Sequence, residues 1–141
     1  MRPYRILVTG SRNWNDLNRL EQALHEHINE LMRTGEADRF VIVHGDCPSG
    51  ADRMAAELAA RTPHVTAEAH PADWGKHGKS SGFVRNQEMV NLGADILFAF
   101  IKDDSRGATH TLNLAIEAGM PLAVYRDYSP DYQRPRELDL A

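Results

Sequence analysis

The stretch YRILVTGSRNWND, residues 4–16, decides the fold of this chain. Its apolar run is followed at once by Thr9-Gly10-Ser11-Arg12 and then by a segment typical of a helix. Ligands of open α/β sheets bind where a parallel strand ends and opens onto a helix. Gly10 permits a tight turn and a close approach, and Arg12 offers donors suited to phosphate beside the free N–H groups of a helix start. The stretch predicts an anion or nucleotide cradle; the alternative is a turn whose polar groups meet only water.

The composition is typical of one soluble globular domain. The chain has 141 residues, 42% hydrophobic and 26% charged, which is long enough to bury a core. A formal net charge of −4 without a Lys/Arg cluster counts against a general binder of nucleic acids or anionic membranes. The single cysteine, Cys47, excludes an internal disulfide framework and a multi-cysteine zinc site. No apolar run approaches the roughly 20 residues that span a bilayer, and no signal-peptide pattern begins the chain, so we expect a cytoplasmic protein.

Strands and helices alternate along the chain. Apolar runs predict five strands, at residues 4–9, 39–44, 65–70, 96–101 and 122–125. Apolar periodicity and stop signals predict four helices, at about residues 17–34, 51–61, 83–92 and 109–118. The first helix is expected to have Asn15 or Asp16 as N-cap and Gly35 as its stop. The alternation predicts an α/β fold, a Rossmann-like three-layer sandwich with a parallel sheet of about five strands.

Some segments carry further expectations. The strand at 65–70 is less apolar and is expected nearer an edge, whereas the strand at 96–101 is the most hydrophobic and is expected to be central. The polar stretch Gly75–Gly82 is expected to be irregular and is the best candidate for a mobile flap over a site. We place the domain at residues 1–125. The tail at residues 126–141, rich in Pro, Asp and Arg, is expected to be a loose surface arm or an oligomer contact.

Four strand-to-helix loops carry glycine, hydroxyl or charged residues, and they lie at residues 10–12, 45–52, 73–85 and 107–109. Loops at the carboxyl ends of parallel strands emerge at the same edge, so these four can converge on one pocket. The absence of G-x-G-x-x-G and Walker A patterns counts against a standard dinucleotide site and a P-loop NTPase. His44, His70 and His77 match no metal-ligand spacing. We therefore expect neither a cofactor nor a metal.

Six segments carry a resemblance to a known family: VTGSRNW, HGDCPSGAD, PADW, GFVRNQEM, GADILFAF and RGATHTLNLAIEAGMPL. Over about residues 4–125 the chain resembles the YspA-type, cpYpsA-related branch of the SLOG superfamily. That Rossmann-like superfamily also contains the LOG phosphoribohydrolases and the DNA-processing protein DprA. The resemblance implies a pocket for a nucleotide or a nucleotide-derived ligand, related to NAD or ADP-ribose. It also implies a homodimer or higher homo-oligomer, and a sensor or nucleotide-processing role of the kind proposed for prokaryotic and phage conflict systems.

The resemblance implies a role for each loop. The first loop would hold phosphate or ribose groups, the glycines of the second would let it approach the ligand, and Gly107 and Thr109 match the phosphate-binding Gly-Thr step of LOG enzymes. Arg85 and Asn86 match the position of a substrate-binding arginine in those enzymes; their alternative is a helix-surface pair. The expected ligand-binding residues are Gly10, Ser11, Arg12, Gly45, Asp46, Gly50, Asp52, Trp74, Arg85, Asn86, Gly107 and Thr109.

Three of the loop residues have open alternatives. Asp52 accepts a bond from a ribose hydroxyl or is an acid favoured in the first turn of a helix by the helix dipole. Trp74 stacks on a base or packs the third loop onto the core. Cys47 lies near a helix start, which favours a thiolate, but no partner base is identifiable, so a loop thiol without a function is favoured.

The chain departs from the LOG pattern at the catalytic step. Leu112 stands where LOG enzymes carry a glutamate, and Ser105-Arg106 replace the double glycine of their motif. Hydrolysis of a glycosidic bond needs a carboxylate to stabilise the reacting centre or to activate water, so the departure counts against phosphoribohydrolase activity. The remaining catalytic candidates are Asp46, Asp52 and Asp73.

Three functions follow, in decreasing order of support. The first is binding of a nucleotide-derived ligand, and the second is a hydrolase for an N-glycosidic or phosphate bond of such a ligand. The third is a DprA-like binder of single-stranded DNA, which needs a basic groove with stacking aromatics that this acidic chain does not suggest.

Overall fold

The computed structural model describes residues 2–134 and shows an α/β fold built on one five-stranded sheet. The strands are β1 (Tyr4–Gly10), β2 (Phe40–His44), β3 (Val65–Ala69), β4 (Ile96–Lys102) and β5 (Leu122–Asp127). All neighbouring strands pair in parallel, in the order β3-β2-β1-β4-β5. Helices flank both faces of the sheet. The predicted Rossmann-like three-layer sandwich is confirmed.

Five helices connect the strands: α1 (Leu17–Thr34), α2 (Gly50–Arg61), α3 (Trp74–His77), α4 (Ser81–Leu92) and α5 (Arg106–Glu117). The Asp16 side chain caps α1 by accepting from the Arg19 N–H, and Gly35 ends it in the left-handed conformation at φ 79°. Both residues were expected in these roles because a short acceptor side chain and a glycine fit the two ends of a helix. Among the described residues, no helix is both long and apolar enough to cross a membrane.

Alternate residues of β1 separate the two halves of the core. Ile6 and Val8 are buried on one face, against the apolar sides of α1 and α2. Leu7 is buried on the other face, with apolar residues of α4 and α5. This alternation is the two-residue period of a strand that is covered on both sides.

Two expectations about the strands have different outcomes. β3 lies at an edge as predicted, and of its residues only the first, Val65, is buried. β4 is interior, but the middle strand is β1. β4 is hydrophobic because helices cover both of its faces. The three inner strands share this cover, so hydrophobicity could not show which of them is the middle strand of the sheet.

The expectation that Gly75–Gly82 is irregular is wrong. Residues 74–77 form α3, Gly78–Ser80 form a 3-10 turn, and α4 begins at Ser81. The Asp73 side chain caps α3 by accepting from the Lys76 N–H at 3.0 Å. The Ser81 hydroxyl lies 2.9 Å from the Asp73 carbonyl oxygen and 2.6 Å from that of Gly78. These local bonds order a stretch whose polar composition suggested a loop.

The described part of the C-terminal tail is not a loose arm. Arg126 and Asp127 belong to β5 and pair with β4. Residues 128–134 contact the turn between β4 and α5, and Ser129 donates to the carboxylate of Asp103 through its N–H and its hydroxyl. The rest of the predicted tail, residues 135–141, lies outside the described residues.

Candidate functional site

A cavity of about 390 Å³ lies at the carboxyl edge of the sheet, and all four predicted loops contribute to it. This volume is typical of small-molecule sites. From the β1 and β2 ends it is lined by Val8, Thr9, Gly10, Arg12, Asn13, Gly45, Cys47 and Asp52. From α3, α4 and the start of α5 it is lined by Trp74, Lys79, Gly82, Phe83, Arg85, Asn86, Met89, Ser105, Gly107 and Ala108.

The cavity brings together eight of the twelve residues expected to bind a ligand, namely Gly10, Arg12, Gly45, Asp52, Trp74, Arg85, Asn86 and Gly107. The other four, which do not line it, are Ser11, Asp46, Gly50 and Thr109.

Ser11 and Gly50 join the loops to one another. Ser11 is buried; its hydroxyl accepts from the Lys102 N–H at 2.7 Å and lies 3.3 Å from the Lys102 carbonyl oxygen, which ties β1 to β4. Gly50 has φ +69°, and a Cβ there would overlap the Ser11 carbonyl oxygen and lie 2.7 Å from the Arg12 Cα. Gly50 therefore lets α2 begin directly against the first loop, so both residues support the cavity from outside.

Asp46 and Thr109 do not line the cavity. Asp46 lines a second, more open depression of about 340 Å³, together with His44 and Arg53. Its N–H donates to His44 Nδ1 at 3.0 Å. The Thr109 hydroxyl oxygen is buried and has no hydrogen-bond partner among the residues that the structure describes.

Cations outnumber acids among the side chains of the cavity. Among the described residues, Arg12, Lys79 and Arg85 line it together with a single carboxylate, Asp52. Arg12 and Lys79 are exposed, and within residues 2–134 their side chains form no hydrogen bond or ion pair. Their charges are thus available to an anionic ligand.

Arg85 is held firmly by the loops around it. Its Nη1 donates to the Gly45 carbonyl oxygen and lies 3.5 Å from that of His70, and its Nε donates to Asn86 Oδ1 at 2.9 Å. A Cβ on Gly45 would lie 2.7 Å from Arg85 Nη1. Gly45 is therefore needed for the guanidinium to lie against the β2 loop. The arginine is oriented before any ligand arrives, which lowers the entropic cost of binding.

Asn86 links α4 to the first turn of α5. It is buried, and its Nδ2 lies 3.3 Å from both the Gly107 carbonyl oxygen and His110 Nδ1. Burial lowers the pKa of His110, which favours the neutral ring that can accept this bond. The alternative of a helix-surface pair at Arg85 and Asn86 is therefore wrong, because Asn86 is buried and both side chains are bonded to neighbouring elements.

Asp52 is the one catalytic candidate that lines the cavity. It is buried, and its Oδ2 accepts from the Cys47 N–H at 3.3 Å. Burial raises the pKa of Asp52, and burial together with Asp52 raises the pKa of Cys47, which counts against a reactive thiolate. Asp73 instead caps α3, and Asp46 lines the second depression.

The histidines of the loop region have separate roles. His44 is buried, which lowers its pKa, and its Nδ1 accepts from the backbone. His70 Nε2 lies 2.7 Å from Glu68 Oε2, and His77 ends α3. The described residues contain no group of three or more His, Cys, Asp or Glu side chains arranged to hold a metal ion.

The α3–α4 segment supplies two lining residues, Lys79 and Phe83, that were not expected in a site. Lys79 lies in the segment Gly75–Gly82 that was expected to be an irregular flap, and Phe83 was expected only as the first residue of the helix that follows. A helical pattern was available as a signal, since Phe83 and Asn86 are three residues apart and so share one face of α4. Trp74 was expected, and its 55% exposure excludes the alternative of packing onto the core.

Comparison with known proteins agrees with the sequence motifs. The sequence model described as "YspA, cpYpsA-related SLOG family" matches residues 4–77, which run from β1 through α3. The Gene 61 protein of Mycobacterium phage D29 is 40% identical to this chain over 126 residues, which cover 87% of this chain and 97% of that protein. The chain therefore belongs to the YspA, cpYpsA-related SLOG family.

Proposed function

We propose that the cavity binds a nucleotide or nucleotide-derived anion, related to NAD or ADP-ribose, and that the protein acts as a sensor or nucleotide-processing protein. The observation that carries the proposal is the charge of the cavity. Within residues 2–134, three cations and one carboxylate line it, in a chain of net charge −4, and burial raises the pKa of that carboxylate, Asp52. Such a local field attracts and holds a phosphate-bearing ligand. Because these cations lie in one cavity and do not form an extended basic groove, they favour a small ligand over a DNA strand.

The start of α5 supports the proposal independently of the side chains. The N-cap Ser105 makes no side-chain capping bond, and the same is true of Ser49 before α2 and Ser80 before α4, whereas α1 and α3 are capped by Asp16 and Asp73. Ser105 and Gly107 both line the cavity. The first-turn N–H groups of a helix lack partners within the helix, and a phosphate satisfies them.

The direct test is calorimetric titration with AMP, NAD and ADP-ribose. We expect saturable binding by the unaltered protein and a loss of about tenfold or more for Arg12→Ala, since hydrogen bonds to charged groups contribute roughly 1.5–3 kcal/mol. The Arg12→Ala, Arg85→Ala double variant is expected to lose binding. Arg33→Ala is the matched control, because it removes the same charge at a position outside the cavity. Arg33 lies on α1, where it pairs with Glu30. Full affinity in the double variant contradicts the proposed site.

Native mass spectrometry of gently purified protein complements the titration. A co-purified nucleotide or fragment of NAD identifies the ligand class. The same spectrum measures the mass of the assembly, which tests our further expectation of a homodimer or higher homo-oligomer.

Hydrolysis of such a ligand is the second candidate function, and Asp52 favours it. A buried carboxyl group with a raised pKa in a ligand cavity suits a general acid for an N-glycosidic or phosphate bond. The counter-argument is Leu112, which stands at the LOG glutamate position and packs in the core from the buried face of α5. Activity of this kind would therefore depend on Asp52.

A chromatographic assay of nucleoside monophosphates, NAD and ADP-ribose tests this second function. If the protein turns over one of them, Asp52→Asn should lower the rate at least about 100-fold, the contribution typical of general acid–base catalysis. Asp46→Asn is the matched control outside the cavity. No product from the unaltered protein, or equal rates in the two variants, counts against Asp52 as a catalytic group.

A further inference from the structure

Two exposed aromatic side chains line the cavity, and we call them the aromatic rim. Trp74 is 55% exposed and Phe83 is 42% exposed. The other tryptophan of the chain, Trp14, is 2% exposed, and its ring lies 5.4 Å from that of Phe100. Aromatic side chains contribute most when they are buried, so a protein gains little stability from leaving two of them open. Core packing therefore does not explain the aromatic rim.

Trp74 is carried by an ordered backbone. It is the first residue of α3, whose N-terminus is capped by Asp73. The fully buried Ser81 lies within hydrogen-bond distance of the carbonyl oxygens of Asp73 and Gly78, which joins α3 to the start of α4. The indole is thus presented to the cavity from a fixed platform.

Phe83 is supported from one side by α5. Its ring meets that of His110 at a centroid distance of 4.5 Å and an angle of 64°, an edge-to-face contact. His110 Nδ1 in turn lies 3.3 Å from Asn86 Nδ2, which also contacts the Gly107 carbonyl oxygen. This chain of contacts connects the aromatic rim to the first turn of α5, where the proposed phosphate site lies.

We propose that the aromatic rim is the subsite for the planar base of the ligand, and this proposal rests on the anion site described above. Stacking on exposed aromatic rings accepts any base, because every base has a π-face. The phosphate lies at Arg12 and the start of α5, and the base lies against Trp74 and Phe83. The site therefore selects nucleotides, which carry a base, over sugar phosphates, which do not.

The test compares ligands that differ only in the base. AMP, GMP, CMP and UMP are titrated beside ribose 5-phosphate, which keeps the sugar and the phosphate. We expect each nucleotide to bind about tenfold or more tightly than ribose 5-phosphate, as expected for one stacked base. We also expect the nucleotides, and not ribose 5-phosphate, to quench the fluorescence of the exposed Trp74. A Trp14→Phe variant leaves Trp74 as the single tryptophan, so its fluorescence comes from Trp74 alone. The Trp74 signal is also obtained without altering the core, as the difference in fluorescence between the unaltered protein and a Trp74→Phe variant.

Variants of the aromatic rim give the second readout. Trp74→Ala and Phe83→Ala should weaken nucleotide binding about tenfold and leave ribose 5-phosphate unchanged, and Trp74→Phe should retain most of the preference because it keeps a ring. Leu92→Ala is the control, since Leu92 is a 61% exposed apolar residue of α4 outside the cavity.

The outcomes separate the two proposals. Equal binding of AMP and ribose 5-phosphate, or a full preference for AMP in Trp74→Ala, overturns the base subsite and leaves the anion site standing. Binding of neither compound overturns the anion site and the subsite with it. A nucleotide preference that falls in Trp74→Ala and persists in Leu92→Ala establishes the subsite.

Discussion

A single hydrogen atom in place of a side chain at Gly10 lets α2 pack directly against the end of β1. A Cβ built there would overlap the Cβ of Ala51 and lie 2.8 Å from the Phe100 carbonyl oxygen. Gly10 also lines the cavity, so the close approach of helix and strand shapes one of its walls. The expectation from the sequence was close approach of a ligand; the structure adds close approach of another part of the chain.

This packing predicts a clear difference between two glycines of the cavity. Gly10→Ala should lower the free energy of unfolding by about 1–3 kcal/mol, because overpacking forces the strand and helix apart. Gly107→Ala is the comparison, since a Cβ there meets nothing within 4 Å and Gly107 lies in the first turn of α5. That change should be neutral or should stabilise by up to about 1 kcal/mol through helix propensity. Urea unfolding measures both values, and equal effects would contradict this account of Gly10.

At the scale of elements, the turn between β4 and α5 is held by the chain that follows β5. Asp103 and Asp104 adopt left-handed conformations at φ 52° and φ 50°, which are uncommon outside glycine. Ser129 donates twice to the Asp103 carboxylate at 2.7 Å, and the Tyr128 hydroxyl donates to Asp104 at 3.0 Å. Ser105 follows this turn, is the N-cap of α5 and lines the cavity. The bonds that hold the turn therefore also hold the start of α5.

Loss of one of these bonds should loosen the start of α5. Ser129→Ala removes the hydroxyl donor to Asp103, so we expect several-fold faster amide hydrogen exchange at residues 104–108 with little change in β1. Ser80→Ala is the matched control, because the Ser80 hydroxyl donates at 2.9 Å to a backbone carbonyl oxygen at His77, away from this turn. Unchanged exchange in Ser129→Ala, or the same change in both variants, contradicts this role of the tail.

At the scale of the whole molecule, strand order places the cavity. The chain moves outward from β1 through β2 to β3 and then returns to β4 on the other side of β1. The loops after β1 and β4 therefore lead to helices on opposite faces of the sheet, which opens a crevice between them. Arg12 and Ser105 reach the cavity from these two loops.

Local chemistry was sufficient to predict most elements. All five predicted strands agree with the observed ones to within two residues at each end, because buried parallel strands are continuous apolar runs. The cap at Asp16 and the stop at Gly35 were also predicted, because each depends on one residue and its nearest neighbours. The short helix α3 was missed because the Ser81 bonds that stabilise it lie seven residues beyond its start.

The sequence by itself determined the α/β class, the parallel sheet, the family and the convergence of four loops at one edge. These features depend on periodicity and on short motifs, which are local properties of the chain. Only the tertiary structure decided which loop residues face the cavity. Ser11 is turned toward Lys102 and Asp46 toward the second depression, while Asp52, Lys79 and Phe83 line the cavity. The direction of a side chain depends on contacts between elements far apart in the sequence, and no local pattern records those contacts.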